Sequence, residues 1–197
     1  MEEFRPATEP HELMGQRILE AAYELIVAHG YSSMSMRKLA AQVGLHAGSL
    51  YHHYRGKEDV LEAVIEFVHD KKLFAWMNAK RETDDPREAV ARFVEFSVRY
   101  SISFPADEQL IRLGASHFKV GQLVQAEDQN ALFSNELKKI IYRGVQANLF
   151  QVESLEISSH CILGLCSRVA EVPRTGITSE ARLVRVATEL THRLLLK

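Results

Sequence analysis

An all-α protein in two parts is the fold class this sequence predicts: three short helices, then a long helix leading into a helical bundle. Three observations carry it. Apolar residues recur at helical spacing almost throughout, and no segment shows the period-two alternation of a strand. Glycines and prolines punctuate the periodic segments, at Gly30, Gly44, Gly56, Pro86, Pro105 and Pro173. The 197 residues are 46% hydrophobic, enough to bury a substantial core.

Taken in order, the first helix spans Pro10 to His29, with Thr8 as its cap and proline accommodated in its first turn. Ile18, Ala22, Leu25 and Ile26 make its buried stripe, and Gly30 ends it in a left-handed conformation. Ser35 caps a short helix from Met36 to Val43, which Gly44 ends. A third short helix runs from Ala47 to Tyr54 and breaks at Arg55-Gly56. A long helix begins at Lys57, with Glu58 and Asp59 suiting the positive end of its dipole. Leu61, Val64, Ile65, Val68 and Trp76 mark its buried side. The polar stretch Arg81 to Pro86 is the clearest break. After it, Arg87 to Ser103 is apolar on nearly all sides, as a central bundle helix must be. Phe104-Pro105 stops it, and further helices follow at Asp107 to Phe118, Leu123 to Leu149, Ser154 to Ala170 and Ser179 to Leu195. The domain reading is 1–56 for the small helical unit and 57–197 for the bundle.

Global charge points to no partner: 26 acids against 24 bases give a net charge of -2. The first ten residues lack the apolar core of a signal peptide, and no apolar stretch is long enough to cross a bilayer. Cys161 and Cys166 fit neither a metal knuckle nor a disulfide framework. They read as buried small apolar residues of a protein in the reducing cytoplasm, with no membrane partner.

Local charge is more informative. From Leu25 to Lys57 there is no acid, where the chain's average would place about four. The same window holds Arg37, Lys38, Arg55 and Lys57, together with His29, His46, His52 and His53. An acid-free, mildly basic surface suits a polyanion, because phosphates repel carboxylates and exchange counterions for cations. Two short helices joined at Gly44-Leu45 have the layout of a helix-turn-helix, whose second helix enters a major groove. Leu39, Val43, Leu45 and Leu50 would pack the unit onto the first helix. Ala47 and Gly48 leave room for DNA to approach the backbone, while Ser49, Tyr51 and His52 can reach phosphates or base edges.

These residues also carry a resemblance. Gly30-Tyr31, Ser35 through Ala40, Gly44 through Tyr54 and Lys57 through Leu61 resemble the N-terminal signature of TetR-family transcriptional regulators. The resemblance covers about the first 65 residues. It implies that Ser35 and Arg37 touch backbone or bases, and that Ala47, Gly48, Ser49, Tyr51 and His52 face the groove. It implies too that Lys57 grips a phosphate and that Tyr54 takes a core position usually held by phenylalanine. His46 stands where the family usually caps with serine or threonine, so His46 itself becomes a candidate DNA contact. Gly56 replaces another frequent cap.

For the remaining two-thirds the resemblance implies a homodimer built on the last two helices, around a pocket for a small-molecule effector. Leu155, Ile162, Leu165 and Val169 on one helix and Leu183, Val186 and Leu190 on the other are the interface candidates; an internal core explains the same stripes. Phe93, Phe96, Tyr100 and Phe133 could line a pocket, with His117 and His160 as polar contacts for a largely hydrophobic effector; a packed core again explains the rings. An enzyme is the main competing class. Ser158, Ser159, His160 and Cys161 put nucleophile types beside a base, but helix neighbours point about 100° apart and do not face one another. No catalytic motif, cofactor site or metal set is recognisable, His11 and His52-His53 included. The expectation is therefore a ligand-responsive DNA-binding regulator, most simply a repressor released by its effector. An effector-independent DNA-binding protein is the alternative.

Overall fold

The computed structural model describes residues 10–81, 83–117, 120–172 and 179–196, with side chains at 14–81, 83–114, 132–172 and 179–196. Every regular element among them is helical: α1 (Pro10–His29), α2 (Met36–Gln42), α3 (Ala47–Leu50), α4 (Lys57–Ala79), α5 (Pro86–Ser103), α6 (Pro105–His117), α7 (Val120–Gln146), α8 (Leu155–Ala170) and α9 (Glu180–Leu195), with a single 3-10 turn at Tyr31–Ser33. Thr8, Phe118 and the break at Pro173 lie outside the described residues.

The local chemistry explains most boundaries. Gly30 and Gly44 have φ of 78° and 73°, the left-handed region that favours glycine after a helix. Ser35, Asp85, Ser154 and Ser179 each cap a helix by accepting a backbone N–H. Gly56 has no side chain to cap α4; instead the Asp59 carboxylate reaches back to the Arg55 N–H at 3.0 Å.

Three boundaries depart from expectation. α3 ends at Leu50, and the next turns tighten, with His52 and His53 donating to the carbonyls of Ser49 and Leu50 at 3.2 and 3.0 Å. That is the three-residue spacing of a 3-10 turn, not continued α-helix. Pro105 opens α6 rather than merely stopping α5, since proline's missing N–H costs nothing in a first turn. α7 ends before Leu149 because Asn148 turns left-handed (φ 55°), and the Gly144 carbonyl then accepts from both Leu149 and Phe150.

The chain divides into two compact units, Met1–Val68 and His69–Lys197, so α4 contributes residues to both. In the first, α2 packs on α1 and α3 over fully buried Ile18, Ala22, Leu39, Leu50, Leu61 and Val64. Each fully buried isoleucine, leucine or valine side chain among them contributes roughly 1.5–3 kcal/mol. Leu25 and Leu45 are half-buried at the edge. In the second, α5 is the central helix, packing against α6, α7, α8 and α9. Phe93, Val94 and Val98 on it meet Leu137, Ile141, Ile162 and Leu195 in one core.

The second unit also buries charge. Lys72 pairs with Glu108 at 2.7 Å, both nearly sealed from water, and Lys71 pairs with the fully buried Asp107 at 2.9 Å. Burial alone would raise the Glu108 carboxyl pKa. The Lys72 ammonium and hydrogen bonds from Lys72, Ser101 and Ser167 overcome that and hold it below the usual carboxylate range.

Of the two cysteines, only Cys166 is buried, and burial pushes its thiol up to about 12. Cys161 is exposed, contrary to expectation. Five residues along a helix turn it through about 140° beyond a full circle, so the two cannot share a buried face.

Candidate nucleic-acid interface

The helix-turn-helix is built from inside outward. Leu50 is fully buried and pins α3, while Ala40, 1% exposed, keeps α2 slim where it packs. The turn between them closes with Leu45 donating to the Ala40 carbonyl at 2.8 Å and Gly44 to Ala41 at 3.2 Å. With the apolar residues turned inward, the polar ones are left outside. Ser35, Arg37, His46, Gly48, Tyr51 and His52 are exposed, and Ala47, Ser49 and Lys57 are half-exposed. Tyr51 keeps 53% of its surface accessible, unusual for an aromatic with no structural reason to be outside.

Two of these residues also have local structural duties. The Ser35 hydroxyl accepts the Lys38 N–H as the cap of α2. His46 occupies the cap position of α3 without a side-chain cap bond, which leaves its ring available. Tyr54 is half-buried, and its phenol is raised in pKa by burial and by Glu66, in keeping with a structural ring.

Sequence reasoning did not single out Lys38, although it lies in the acid-free window. Its ammonium donates to the Ser33 carbonyl at 3.0 Å, and the Lys57 ammonium donates to the adjacent Ser32 carbonyl at 3.2 Å. Lys57 also lies 4.2 Å from the centre of the Tyr31 ring. Two cations drawn from α2 and α4 thus converge on one turn. Each ammonium retains further N–H groups, a suitable grip for a phosphate.

In the second unit the expected site residues separate. Phe93, Tyr100 and Phe133 are buried, Phe96 is half-buried, and the rings pack on one another and on Trp76. Phe93 stacks on Phe133 at 4.8 Å and meets Trp76 edge-on at 4.9 Å. Tyr100 donates to Asp107 at 2.8 Å. His160 is not with them: it is exposed on α8, held at 2.9 Å to the Glu156 carbonyl. The His117 side chain lies outside the described residues.

Of the interface candidates, Ile162 and Leu183 are buried in the unit's own core, so neither has surface to offer a second chain. Leu155, Leu165 and Val169 are half-buried, and Val186 and Leu190 are exposed at 36% and 38%. Leu194, at 52%, continues the exposed apolar edge of α9, and Ile157, at 67%, is an exposed apolar residue on α8 that the sequence reading omitted. Ser159 is fully buried and donates to the Glu156 carbonyl, so it too has no surface for a second chain, while Gly164 faces open space. Among the described residues no cluster of side chains could hold a metal, and no helix is long and apolar enough to cross a membrane.

A short buried-backed helix presenting small and hydrogen-bonding residues, flanked by cations and free of acids, defines a helix-turn-helix protein of the DNA-binding class. Residues 18–64 match the family model of bacterial regulatory proteins, tetR family. A 50-residue stretch is 42% identical to the HTH-type transcriptional regulator SrpR of Pseudomonas putida, covering 25% of this chain and 24% of SrpR. The chain thus spans about a quarter of the length of that relative. Likeness over nearly the whole chain comes from solved structures. The TetR-family regulator PfmR from Thermus thermophilus superposes with a TM-score of 0.68 at 25% identity, over 90% of this chain and 97% of PfmR. FadR from Bacillus subtilis, solved in complex with stearoyl-CoA, gives 0.74 at 17% identity, over 91% of this chain and 98% of FadR. Residues 18–64 thus match the DNA-binding segment of tetR-family regulatory proteins, and the fold over nearly the whole chain is that of solved TetR-family regulators.

Proposed function

We propose that the protein binds duplex DNA as a homodimer, acts as a transcriptional repressor and releases its operator when a small, largely hydrophobic effector binds the second unit. The carrying observation is the outward face of α2 and α3, where Arg37, His46, Gly48, Ser49, Tyr51 and His52 stand clear of the core in an acid-free segment. In this reading α3 enters the major groove, Ser49, Tyr51 and His52 reach base edges or phosphates, and Lys57, joined by Lys38, holds the DNA backbone. One short helix reads too few base pairs for useful specificity, so two must act about 34–36 Å apart on a palindromic site. The exposed apolar residues of α8 and α9 supply the dimer face. α4 belongs to both units and is the natural lever between effector and DNA. FadR's stearoyl-CoA supports a hydrophobic effector class.

The test is binding to duplex fragments, including the protein's own promoter region, across a salt series. The expected result is affinity in the range of about 10⁻⁸ M or tighter for a palindromic site, falling steeply with salt. Lys57→Ala should weaken binding to every sequence and flatten the salt slope by about two units, one phosphate contact being lost from each protomer of the dimer. Ser49→Ala and Tyr51→Ala should harm specific binding more than non-specific binding. Absence of any salt-dependent duplex binding would overturn the reading. If DNA binds but no hydrophobic metabolite raises the melting temperature or releases the operator, an effector-independent DNA-binding protein is left.

A further inference from the structure

Between the C-terminal turn of α4, the start of α5 and the C-terminal half of α7 lies a groove of about 370 Å³. Among the described residues five cations line it, Lys80, Arg81, Arg92, Lys139 and Arg143, against two carboxylates, Asp84 and Glu136. A protein of net charge -2 therefore concentrates positive charge in one concave place.

The internal pairings leave that excess in being. Glu136 is shared, accepting from Lys80 at 3.1 Å and from Lys139 at 2.8 Å, so one carboxylate faces two ammonium groups. Arg143 donates to the backbone carbonyls of Thr83 and Asp84, at 2.9 and 3.5 Å, which orders its guanidinium without neutralising it. Arg92 is paired with Glu88 on its own helix. The wall is apolar where Ile140, Ala89 and the Trp76 indole line it. The Trp76 N–H is buried and has no acceptor among the described residues.

We infer that this groove is a binding site for a small organic phosphate, its multivalent anionic group among Arg81, Lys139 and Arg143 and its uncharged part against Trp76 and Ile140. A multivalent anion is favoured over a monocarboxylate because five cations face three carboxylates, Asp84, Glu136 and the Arg92 partner Glu88, an excess of two, and the ordered Arg143 guanidinium suits phosphate oxygens. The volume suits a nucleoside diphosphate or a molecule of similar size. An oxygen seated on the Trp76 wall would also give the buried indole N–H an acceptor. The site goes beyond the DNA-binding reading and is measured with no DNA present, so either can fail without the other.

Calorimetry on the full chain with inorganic pyrophosphate, adenosine diphosphate and benzoate provides the test. Pyrophosphate and adenosine diphosphate should bind saturably with a Kd of about 1 mM or tighter and weaken with added salt. The double reversal R81E/K139E changes two exposed side chains and should lower both affinities at least about tenfold at unchanged melting temperature. The charge-conserving R81K/K139R should stay within about threefold of wild type. No saturable binding, or binding indifferent to the reversal, would overturn the site. Benzoate binding as tightly as the phosphates would overturn the multivalent class. Pyrophosphate binding without adenosine diphosphate would reduce it to an inorganic-anion site and overturn the organic ligand.

Discussion

Gly48 and Gly144 are both helical glycines, yet their surroundings assign them opposite reasons for being small. A Cβ on Gly144 would lie 1.9 Å from the Phe150 ring, so Gly144→Ala must displace a buried aromatic, at a cost of about 1–3 kcal/mol. A Cβ on Gly48 would meet nothing within 4 Å. Gly48→Ala should therefore leave the fold as stable as before, or up to about 1 kcal/mol more stable from better helix propensity. If α3 lies against DNA, the same methyl should still weaken operator binding. A variant with raised melting temperature and unchanged operator affinity would show that the open side of Gly48 is not a DNA surface. His69 offers a second test at this scale. Burial first, and Lys72 beside it, lower its pKa from 6.5 to about 4, while Glu108 opposes them. The folded protein thus keeps His69 neutral where the unfolded chain takes up a proton. Stability from this source is complete above pH 6.5 and is lost as pH falls from 6.5 to 4, by roughly 3 kcal/mol over the whole window. Glu108, held below its ordinary 4.5, adds its own loss only at lower pH. His69→Leu should lose less melting temperature between pH 7 and pH 5 than wild type; equal losses would place the sensitivity elsewhere.

Elements were readable from sequence where their ends are set by local chemistry. The Ser35 cap and the left-handed Gly30 act within a few residues of themselves and are found as expected, and the helix limits read at Gly44, Ser154 and Ser179 are set by equally local chemistry. The outward face of α3 was readable for the same reason, since Leu50 is its one apolar anchor. What failed depends on distant partners. Nothing local marks Asp107 and Glu108 as buried, but Lys71 and Lys72, 36 residues earlier, draw them inside. The facing of α8 was legible only in part: Ile162 and Cys161 are adjacent, yet one is fully buried and the other exposed. Periodicity gives a stripe but cannot say whether the same chain or another covers it. The dimer test must follow that correction. Leu190→Glu places a charge on an exposed position and should give a folded monomer in sedimentation at micromolar concentration. Ile162→Glu buries an unpaired carboxylate in the core and should unfold the second unit instead. A wild-type monomer at that concentration would remove the dimer from the proposal.

For the whole molecule, the sharpest consequence concerns the coupling of assembly to DNA affinity. The proposed DNA contacts are all in Met1–Val68, and the proposed dimer residues are all in His69–Lys197, so each can be altered without touching the other. If two recognition helices are tied together, the second half-site binds at an effective concentration set by the tether, commonly in the millimolar range. Losing that tether should weaken binding to a full palindrome by roughly 10²- to 10⁴-fold while barely changing affinity for an isolated half-site. Leu190→Glu is thus expected to collapse full-site affinity onto half-site affinity, although it lies in the other unit from every DNA contact. Lys57→Ala should lower both affinities and leave the dimer intact in sedimentation. The double variant should show only the half-site loss due to Lys57, since nothing remains to be multiplied by the tether. A titration in which Leu190→Glu is monomeric yet holds the full palindrome as tightly as wild type would mean that one chain reads its operator alone, and the two-helix spacing argument would fall.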